Sequence, residues 1–240
     1  MRRRYLCGAF VGVLVIAGAL SATGGGATSS MRHGPVDRIT NSTSSNWSGY
    51  AVTGNRFTSV SASWTEPTAK CSGTAYSSFW VGLDGDSSNT VEQTGTDADC
   101  SGSTPQYYAW YEMYPKYPVN LRGTVRPGDQ LTASVTTNGS GSFTLTITDS
   151  TQGWTNTTTA RLKSAKLASA EVIAEAPSSN SGVLPLANFG TVGFSGAAAN
   201  GISMDKLPNL DPITMASGST IKAQPGPISN GAFSVTWKHS

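Results

Sequence analysis

Hydrophobic and polar residues alternate with a period of two in several short stretches of the chain. The clearest of these stretches are residues 57–64, 130–136 and 142–148. Alternation that is rich in Thr and aromatic residues is typical of half-buried β-strands. The turn sequence NGSG at residues 138–141 lies between two of the stretches and predicts a β-hairpin. The pattern therefore predicts an all-β fold.

After the N-terminal segment, the chain shows no sustained helical periodicity. Residues 163–170 could form one helical turn and no more. Many short strands spread over about 200 residues are typical of a single β-sandwich or barrel. No linker and no repeat of fixed period divides them, so we expect one domain.

The N-terminal segment has the layout of a secretory signal peptide. Three arginines at positions 2–4 precede an apolar run at residues 6–20, and small residues follow. The run is shorter than the roughly 20 residues of a membrane span. We therefore expect a signal peptide at residues 1–30, a short leader or propeptide at residues 31–45, and one domain at residues 46–240. The expected protein is secreted and extracellular, with no membrane contact after signal removal.

The cysteines agree with export. Cys7 lies within the expected signal, which leaves Cys71 and Cys100 as an even pair. Because exported chains reach an oxidising compartment, we expect these two residues to form a disulfide.

Charge excludes one class of partner. Only 12% of the residues are charged, and loss of the three N-terminal arginines would change the formal net charge from +2 to about −1. A nucleic-acid-binding protein needs a dense basic face, so we expect no nucleic-acid partner.

The positions of the histidines limit the kinds of catalytic site that the chain can form. The only histidines are His33, in the leader, and His239, beside the C-terminus. We therefore expect no imidazole within the fold, which argues against a Ser-His-Asp site. His and Cys clusters at zinc-ligand spacing are missing, and we expect no metal and no cofactor. Calcium stays open, because some aspartates could supply oxygens, although loop aspartates more often form turns: Asp84, Asp86, Asp97 and Asp99.

Sparse carboxylates stand within strand-like runs. These are Glu92, Glu112, Glu171 and Glu175. Residues two and four apart on a strand share a face, so Glu171 and Glu175 point the same way. Such a face is either a solvated outer surface or a wet groove in which a carboxylate performs acid–base chemistry.

Several blocks carry a resemblance. They are residues 45–50 (SNWSGY), 79–86 (FWVGLDGD), 91–95 (VEQTG), 109–115 (AWYEMYP), 125–131 (VRPGDQL), 170–177 (AEVIAEAP) and 185–190 (PLANFG). Their order resembles that of the glutamic peptidases, or eqolisins, from about Asn46 to Trp237. One block alone would be a weak signal, whereas several in order are strong.

The resemblance implies a fold and a site. It implies a concanavalin A-like β-sandwich of two curved antiparallel sheets. It also implies a catalytic pair of Gln93 and Glu175, with Asp84 and Glu112 as supporting groups or as purely structural hydrogen-bond partners. Trp80 matches an aromatic residue that lines the family's substrate cleft.

The implied activity is an acid-acting endopeptidase that takes protein or peptide substrates as a monomer. Glu175 would act as general base and then acid on a water, and Gln93 would stabilise the oxyanion.

Two other classes stay open. A glycoside hydrolase could use Glu112 and Glu175 as its two carboxylates. A non-catalytic carbohydrate-binding module could use Trp80, Trp110 and Tyr111 as stacking platforms.

Overall fold

The computed structural model describes residues 31–86 and 88–240, so the expected signal peptide lies outside the described residues. The regular secondary structure of the described residues consists of strands, apart from a short 3-10 turn at Met204–Lys206. In chain order the strands are β1 (Thr43–Ser44), β2 (Trp47–Thr53), β3 (Ser59–Thr65), β4 (Ser78–Leu83), β5 (Val91–Ser101), β6 (Thr104–Tyr114), β7 (Val119–Asn120), β8 (Gln130–Thr137), β9 (Ser142–Asp149), β10 (Trp154–Arg161), β11 (Ser169–Glu175), β12 (Ser178–Ser179), β13 (Gly182–Val183), β14 (Thr191–Ala199), β15 (Ile202–Ser203), β16 (Leu210–Ser217), β17 (Thr220–Pro225) and β18 (Phe233–Trp237).

Most of the strands form two sheets that share one strand, β16, while β12 and β13 pair only with each other and β15 pairs with β14. The first has the order β10-β9-β8-β3-β14-β18-β17-β16, and the second has the order β16-β2-β11-β4-β5-β6-β7. Neighbouring strands along both orders run antiparallel, whereas β1 pairs with β16 in parallel. The all-β fold class is confirmed, and the two sheets pack as a β-sandwich.

Alternation along the strands explains the core. In β9 every second residue is buried, and Phe143, Leu145 and Ile147 form part of the main hydrophobic cluster. From the second sheet, Val81 of β4 and Val172 of β11 join the same cluster. The inner faces of both sheets therefore supply one core, as the period of two predicts.

The outer face of the second sheet carries a separate cluster, and we call this side the cleft face. Its buried apolar residues are Trp47, Ala51, Trp80, Val91, Trp110, Ile173 and Ile213. An outer sheet face that buries three tryptophans is covered by something other than the opposite sheet. The leader provides much of that cover, as described below.

Local expectations can be compared directly with the structure. The hairpin at residues 138–141 is confirmed, because β8 and β9 pair around it. The disulfide between Cys71 and Cys100 is confirmed and closes a sequence separation of 29 residues. Among the described residues, no helix has the length and apolar character needed to cross a bilayer.

Candidate active site

Gln93 and Glu175 reach the cleft face from two strands that flank β4. Gln93 of β5 lies opposite Gly82 of β4, and Glu175 of β11 lies opposite Ser78 of the same strand. Both side chains are fully buried. A side chain at position 82 would crowd this space, because a Cβ there would lie 3.2 Å from the Gln93 Cβ. Glycine therefore leaves room for the amide between the strands.

The Glu175 carboxyl receives three N–H donors. Oε1 accepts from the backbone N–H of Gly34 at 2.9 Å and from Asn46 Nδ2 at 3.0 Å. Oε2 accepts from Trp80 Nε1 at 2.7 Å. Burial raises the pKa of Glu175 to about 8, although the nearby charge of His33 and these donors oppose the rise.

The Gln93 amide bridges the leader and Glu112. Its Nε2 donates to the carbonyl oxygen of His33, and it also donates to Glu112 Oε2 at 3.3 Å. Its Oε1 has no hydrogen-bond partner among the described residues. The amide can therefore donate to a carbonyl while its oxygen stays free to accept from a water.

His33 is buried against this site, which corrects the expectation that no imidazole lies within the fold. Its ring stacks on Trp110 with 3.8 Å between the ring centroids. Nδ1 lies 3.1 Å from Glu112 Oε2, and Nε2 lies 3.3 Å from Asp97 Oδ2. Burial alone would lower the pKa of His33, but the two carboxylates outweigh burial and raise the pKa well above its ordinary value.

Backbone bonds hold the leader along the cleft face. Arg32 pairs with Ser178 through two backbone hydrogen bonds of 2.9 and 3.0 Å. The N–H of His33 donates to Glu112 Oε2 at 2.8 Å, and the carbonyl of Gly34 accepts from Asn46 Nδ2 at 2.8 Å. Together with the bonds to Gln93 and Glu175, these contacts pair every backbone polar group from Arg32 to Gly34.

The structure brings most of the candidate residues together. Gln93, Glu175, Glu112 and Trp80 are linked by direct hydrogen bonds or through the leader backbone. Trp80 is fully buried, and its indole N–H donates to Glu175.

Asp84 is the exception, because its hydrogen bonds lead away from the pair. Its carboxylate accepts three backbone N–H bonds of 2.8 Å from residues 166–168. Asp84 also has a φ of 68°. These contacts favour the structural alternative for Asp84 over support of Gln93 and Glu175.

We expect Asp84→Ala to destabilise the fold by about 3 kcal/mol or more, because three buried N–H groups would lose their acceptor. Urea denaturation of the purified variant would measure the change. Peptide hydrolysis by the fraction that stays folded is expected to remain within a few-fold of the unsubstituted protein. A large loss of turnover with unchanged stability would instead assign Asp84 to the catalytic machinery.

Sequence reasoning missed several contacts. The sequence offers Asp97 as a calcium ligand or a turn former, yet it lies four residues after Gln93 on the same strand face and contacts His33. Asn46 belongs to the first block and had no assigned role, yet it holds both Glu175 and Gly34. The shared face of β5 could have indicated Asp97, whereas nothing in the sequence pattern indicated His33.

The two remaining candidate glutamates, Glu92 and Glu171, are also buried. Glu171 shares the cleft face with Glu175, and burial raises its pKa well above the ordinary value. Burial and the charge of Asp84 raise the pKa of Glu92 to about 9. The solvated outer surface considered for Glu171 is therefore wrong. Within residues 31–86 and 88–240, no cluster of three His, Cys, Asp or Glu residues could hold a metal ion.

Comparison with known sequences assigns the chain to a protein family. The sequence model of the peptidase A4 family matches residues 45–235. Aspergillopepsin-2 of Aspergillus niger is 30% identical over 181 residues, which cover 65% of this chain and 64% of that protein. The match thus spans a little under two thirds of the length of that relative.

Comparison with solved structures agrees. Scytalido-glutamic peptidase, crystallised with a transition-state analogue inhibitor, superposes with a TM-score of 0.72 at 28% identity, covering 81% of this chain and 98% of that one. SCP-B, an eqolisin solved with the tripeptide Ala-Ile-His, gives a TM-score of 0.67 at 25% identity with the same coverage.

Proposed function

Because this chain belongs to the peptidase A4 family, we propose that it is a secreted endopeptidase that hydrolyses peptide bonds in acidic media through Gln93 and Glu175. The observation that carries the proposal is a peptide bond held between the two side chains. The carbonyl of His33 accepts from Gln93, and the N–H of Gly34 donates to Glu175. A peptide substrate that follows the same path would present its carbonyl to an amide donor and its leaving nitrogen to an acid.

The mechanism follows from what each group can do. Glu175 as carboxylate takes a proton from a water, and the water oxygen attacks the substrate carbonyl carbon. Gln93 donates its N–H to the oxyanion as the tetrahedral intermediate forms. Glu175 then gives the proton to the nitrogen, and the C–N bond breaks. Gln93 keeps its donor at every working pH because a primary amide does not titrate.

Electrostatics support a carboxylate at the start of the cycle. All three polar partners of Glu175 are N–H donors, which favour the ionised form. Burial under the leader acts in the other direction and raises the pKa to about 8. When the leader leaves, water reaches the carboxyl and its pKa falls towards the reference value of about 4.3. The open site is then ionised in mildly acidic media, where a free imidazole base would be protonated.

Peptides are the substrate class that the contacts favour. The relative SCP-B was solved with the tripeptide Ala-Ile-His, and here the backbone of the leader is hydrogen-bonded to both Gln93 and Glu175. The glycosidase alternative is weaker, because Glu112 is hydrogen-bonded to Gln93 and His33 and is therefore not a free second carboxylate for Glu175. The binding-module alternative is also weaker, because Trp80 and Trp110 are buried rather than exposed as platforms.

The proposal is tested by incubating the purified protein with casein at pH values from about 3 to 6 and, in parallel, with a panel of glucans. We expect peptide fragments from casein and no reducing ends from the glucans. The Glu175→Gln variant serves as the matched blank for contaminating proteases. Release of reducing sugar without casein cleavage would overturn the assignment, as would binding to an insoluble glycan without turnover of either substrate.

A further inference from the structure

The side chain of His33 lies in a buried pocket formed by Trp110, Asp97 and Glu112, which we call the imidazole pocket. The ring of His33 stacks on Trp110, with 3.8 Å between the ring centroids and 6° between the ring planes. Each ring nitrogen faces a carboxylate: Nε2 lies 3.3 Å from Asp97 Oδ2, and Nδ1 lies 3.1 Å from Glu112 Oε2. All four side chains are buried. The pocket therefore combines a flat aromatic surface with two acceptors at the edge of one ring.

We propose that the imidazole pocket receives the substrate residue on the acyl side of the scissile bond, and that Asp97 makes the site select a protonated histidine there. The inference rests on the proposed function and adds to it the class of peptide that the site prefers. The position follows from the backbone, because the carbonyl of His33 accepts from Gln93 and the next N–H donates to Glu175. A substrate residue whose carbonyl reaches Gln93 places its side chain in the same pocket.

The two carboxylates favour an imidazolium over a neutral ring. A protonated imidazole donates from both nitrogens, whereas a neutral imidazole has a single donor and would turn a lone pair towards one of the carboxylates. Bonds between charged partners are also stronger than neutral ones. Burial lowers the pKa of His33, yet the charges of Asp97 and Glu112 outweigh burial and hold that pKa well above its ordinary value. The pocket thus stabilises the protonated ring.

Asp97 is the residue that makes the pocket selective. Its Oδ1 accepts from Trp110 Nε1 at 2.6 Å, so this one carboxylate orients the stacking surface and offers its second oxygen to the bound ring. Glu112 is shared with other groups, because its Oε2 also accepts from Gln93 and from the backbone N–H of His33. A phenylalanine in the pocket could stack on Trp110 but would leave a buried carboxylate facing a ring without a donor, which is costly.

The neighbouring positions of the leader contribute less to selection. The guanidinium of Arg32 lies 4.4 Å from the centre of the Tyr117 ring and donates to the Tyr117 hydroxyl at 2.8 Å, but this contact is exposed to solvent. Exposed contacts of charged side chains contribute little free energy. Gly34 offers no side chain. We therefore expect discrimination between peptides at the residue that fills the imidazole pocket.

The test compares peptides that differ only in the residue before the scissile bond. Three fluorogenic peptides carry His, Phe or Lys at that position and Gly after it, and mass spectrometry identifies the bond that is cut. The enzyme is the secreted protein used in the casein assay, at about pH 4.5, where free imidazole is protonated. We expect kcat/KM for the His peptide to exceed that for the Phe peptide by about 10- to 100-fold, the range for one charge-assisted hydrogen bond. The Lys peptide is expected to lie between them, because an ammonium has charge but no planar ring for Trp110.

The Asp97→Asn variant removes the charge and keeps an oxygen for the indole N–H of Trp110. We expect the ratio of kcat/KM for the His peptide to that for the Phe peptide to fall by about 10- to 100-fold. Both rates are measured on the same sample, so their ratio does not depend on the fraction of the variant that is folded. A purely structural role of Asp97 would lower both rates together and leave the ratio unchanged.

The matched control is Asp99→Asn, because Asp99 is buried two residues further along the same face of β5. Its carboxyl accepts from the Tyr108 hydroxyl at 2.7 Å and from the backbone N–H of Ser77 at 3.3 Å, outside the imidazole pocket. Burial and the charge of Asp97 raise the pKa of Asp99 to about 8, so this carboxyl is already uncharged in the assay. We expect its replacement by an amide to keep the ratio within a few-fold of wild type.

The remaining outcomes separate this inference from the proposed function. If casein is digested but the Phe or Lys peptide is cut as fast as the His peptide, the inference is wrong and the proposed function stands. An unchanged ratio in Asp97→Asn would also overturn the inference, because the selection would then come from another group. If neither casein nor any of the peptides is cleaved, the proposed function is wrong and the inference falls with it.

Discussion

Substitution of Glu175 by Gln is expected to abolish peptide hydrolysis, with a loss of at least about 10³-fold in kcat, and to leave the fold intact. The variant keeps the size of the side chain and removes the carboxyl group proposed to take the proton from water and return it to the leaving nitrogen. An amide has no proton affinity in the working range, so the first step has no base.

The fold should survive, because the substitution removes the free-energy cost of ionising a buried carboxyl group as well as one of its hydrogen bonds. Burial holds the pKa of Glu175 at about 8, well above its value in the unfolded chain. An acid whose pKa is higher in the folded state than in the unfolded state stabilises the fold fully at pH values below its unfolded-state pKa. This stabilisation is lost as the pH rises through its folded-state pKa. The Gln variant does not ionise, so its stability relative to wild type should be greater at pH 8 than at pH 4.

A matched control lies on the same strand. Glu171 shares β11 and the cleft face with Glu175, is fully buried, and also has a raised pKa. Glu171→Gln is therefore expected to stay within a few-fold of wild type in casein digestion. Initial rates and thermal denaturation at pH 4 and pH 8 would be measured for both variants. Near-normal turnover by folded Glu175→Gln would falsify the role of Glu175 as base.

The fold was predictable from the sequence because its strands are half-buried. In β8 and β9 one face meets the core and the other meets solvent, so the period of two is visible. In β4 and β11 every residue is buried, so alternation is hidden. β4 could be recognised only through the resemblance, whereas the strand-like run that holds Glu171 and Glu175 already indicates β11; both strands lie beside the site.

The site was predictable in part for a similar reason. Gln93 and Glu175 stand in blocks whose order resembles a family, whereas Asp84 stands in the same kind of block yet serves the 166–168 backbone. His33 carried no local signal, because it lies in a leader without periodicity and meets Glu112 across 79 positions in sequence. Contacts over such separations are fixed by the tertiary fold, which no local pattern encodes.

Substitution of Gln93 by Ala is expected to lower kcat by about 10²- to 10³-fold, the usual cost of losing one oxyanion donor. The Michaelis constant should change less, because the donor is strongest on the charge that develops in the transition state. Gln106→Ala is a suitable control, since Gln106 belongs to the neighbouring strand β6 but is exposed. Initial rates on one defined peptide over a range of concentrations separate kcat from KM.

The isosteric change Gln93→Glu distinguishes donation from the filling of space. The new carboxylate has the same shape but no N–H for the carbonyl, and it would lie at hydrogen-bond distance from Glu112, whose pKa burial already raises. Like charges at this distance repel, so one carboxyl must hold a proton and the pH dependence of kcat should shift. We expect Gln93→Glu to be as inactive as Gln93→Ala near neutral pH and to recover part of its activity in acid, where a protonated carboxyl can donate. An active Gln93→Ala variant would show that the oxyanion is stabilised by another group.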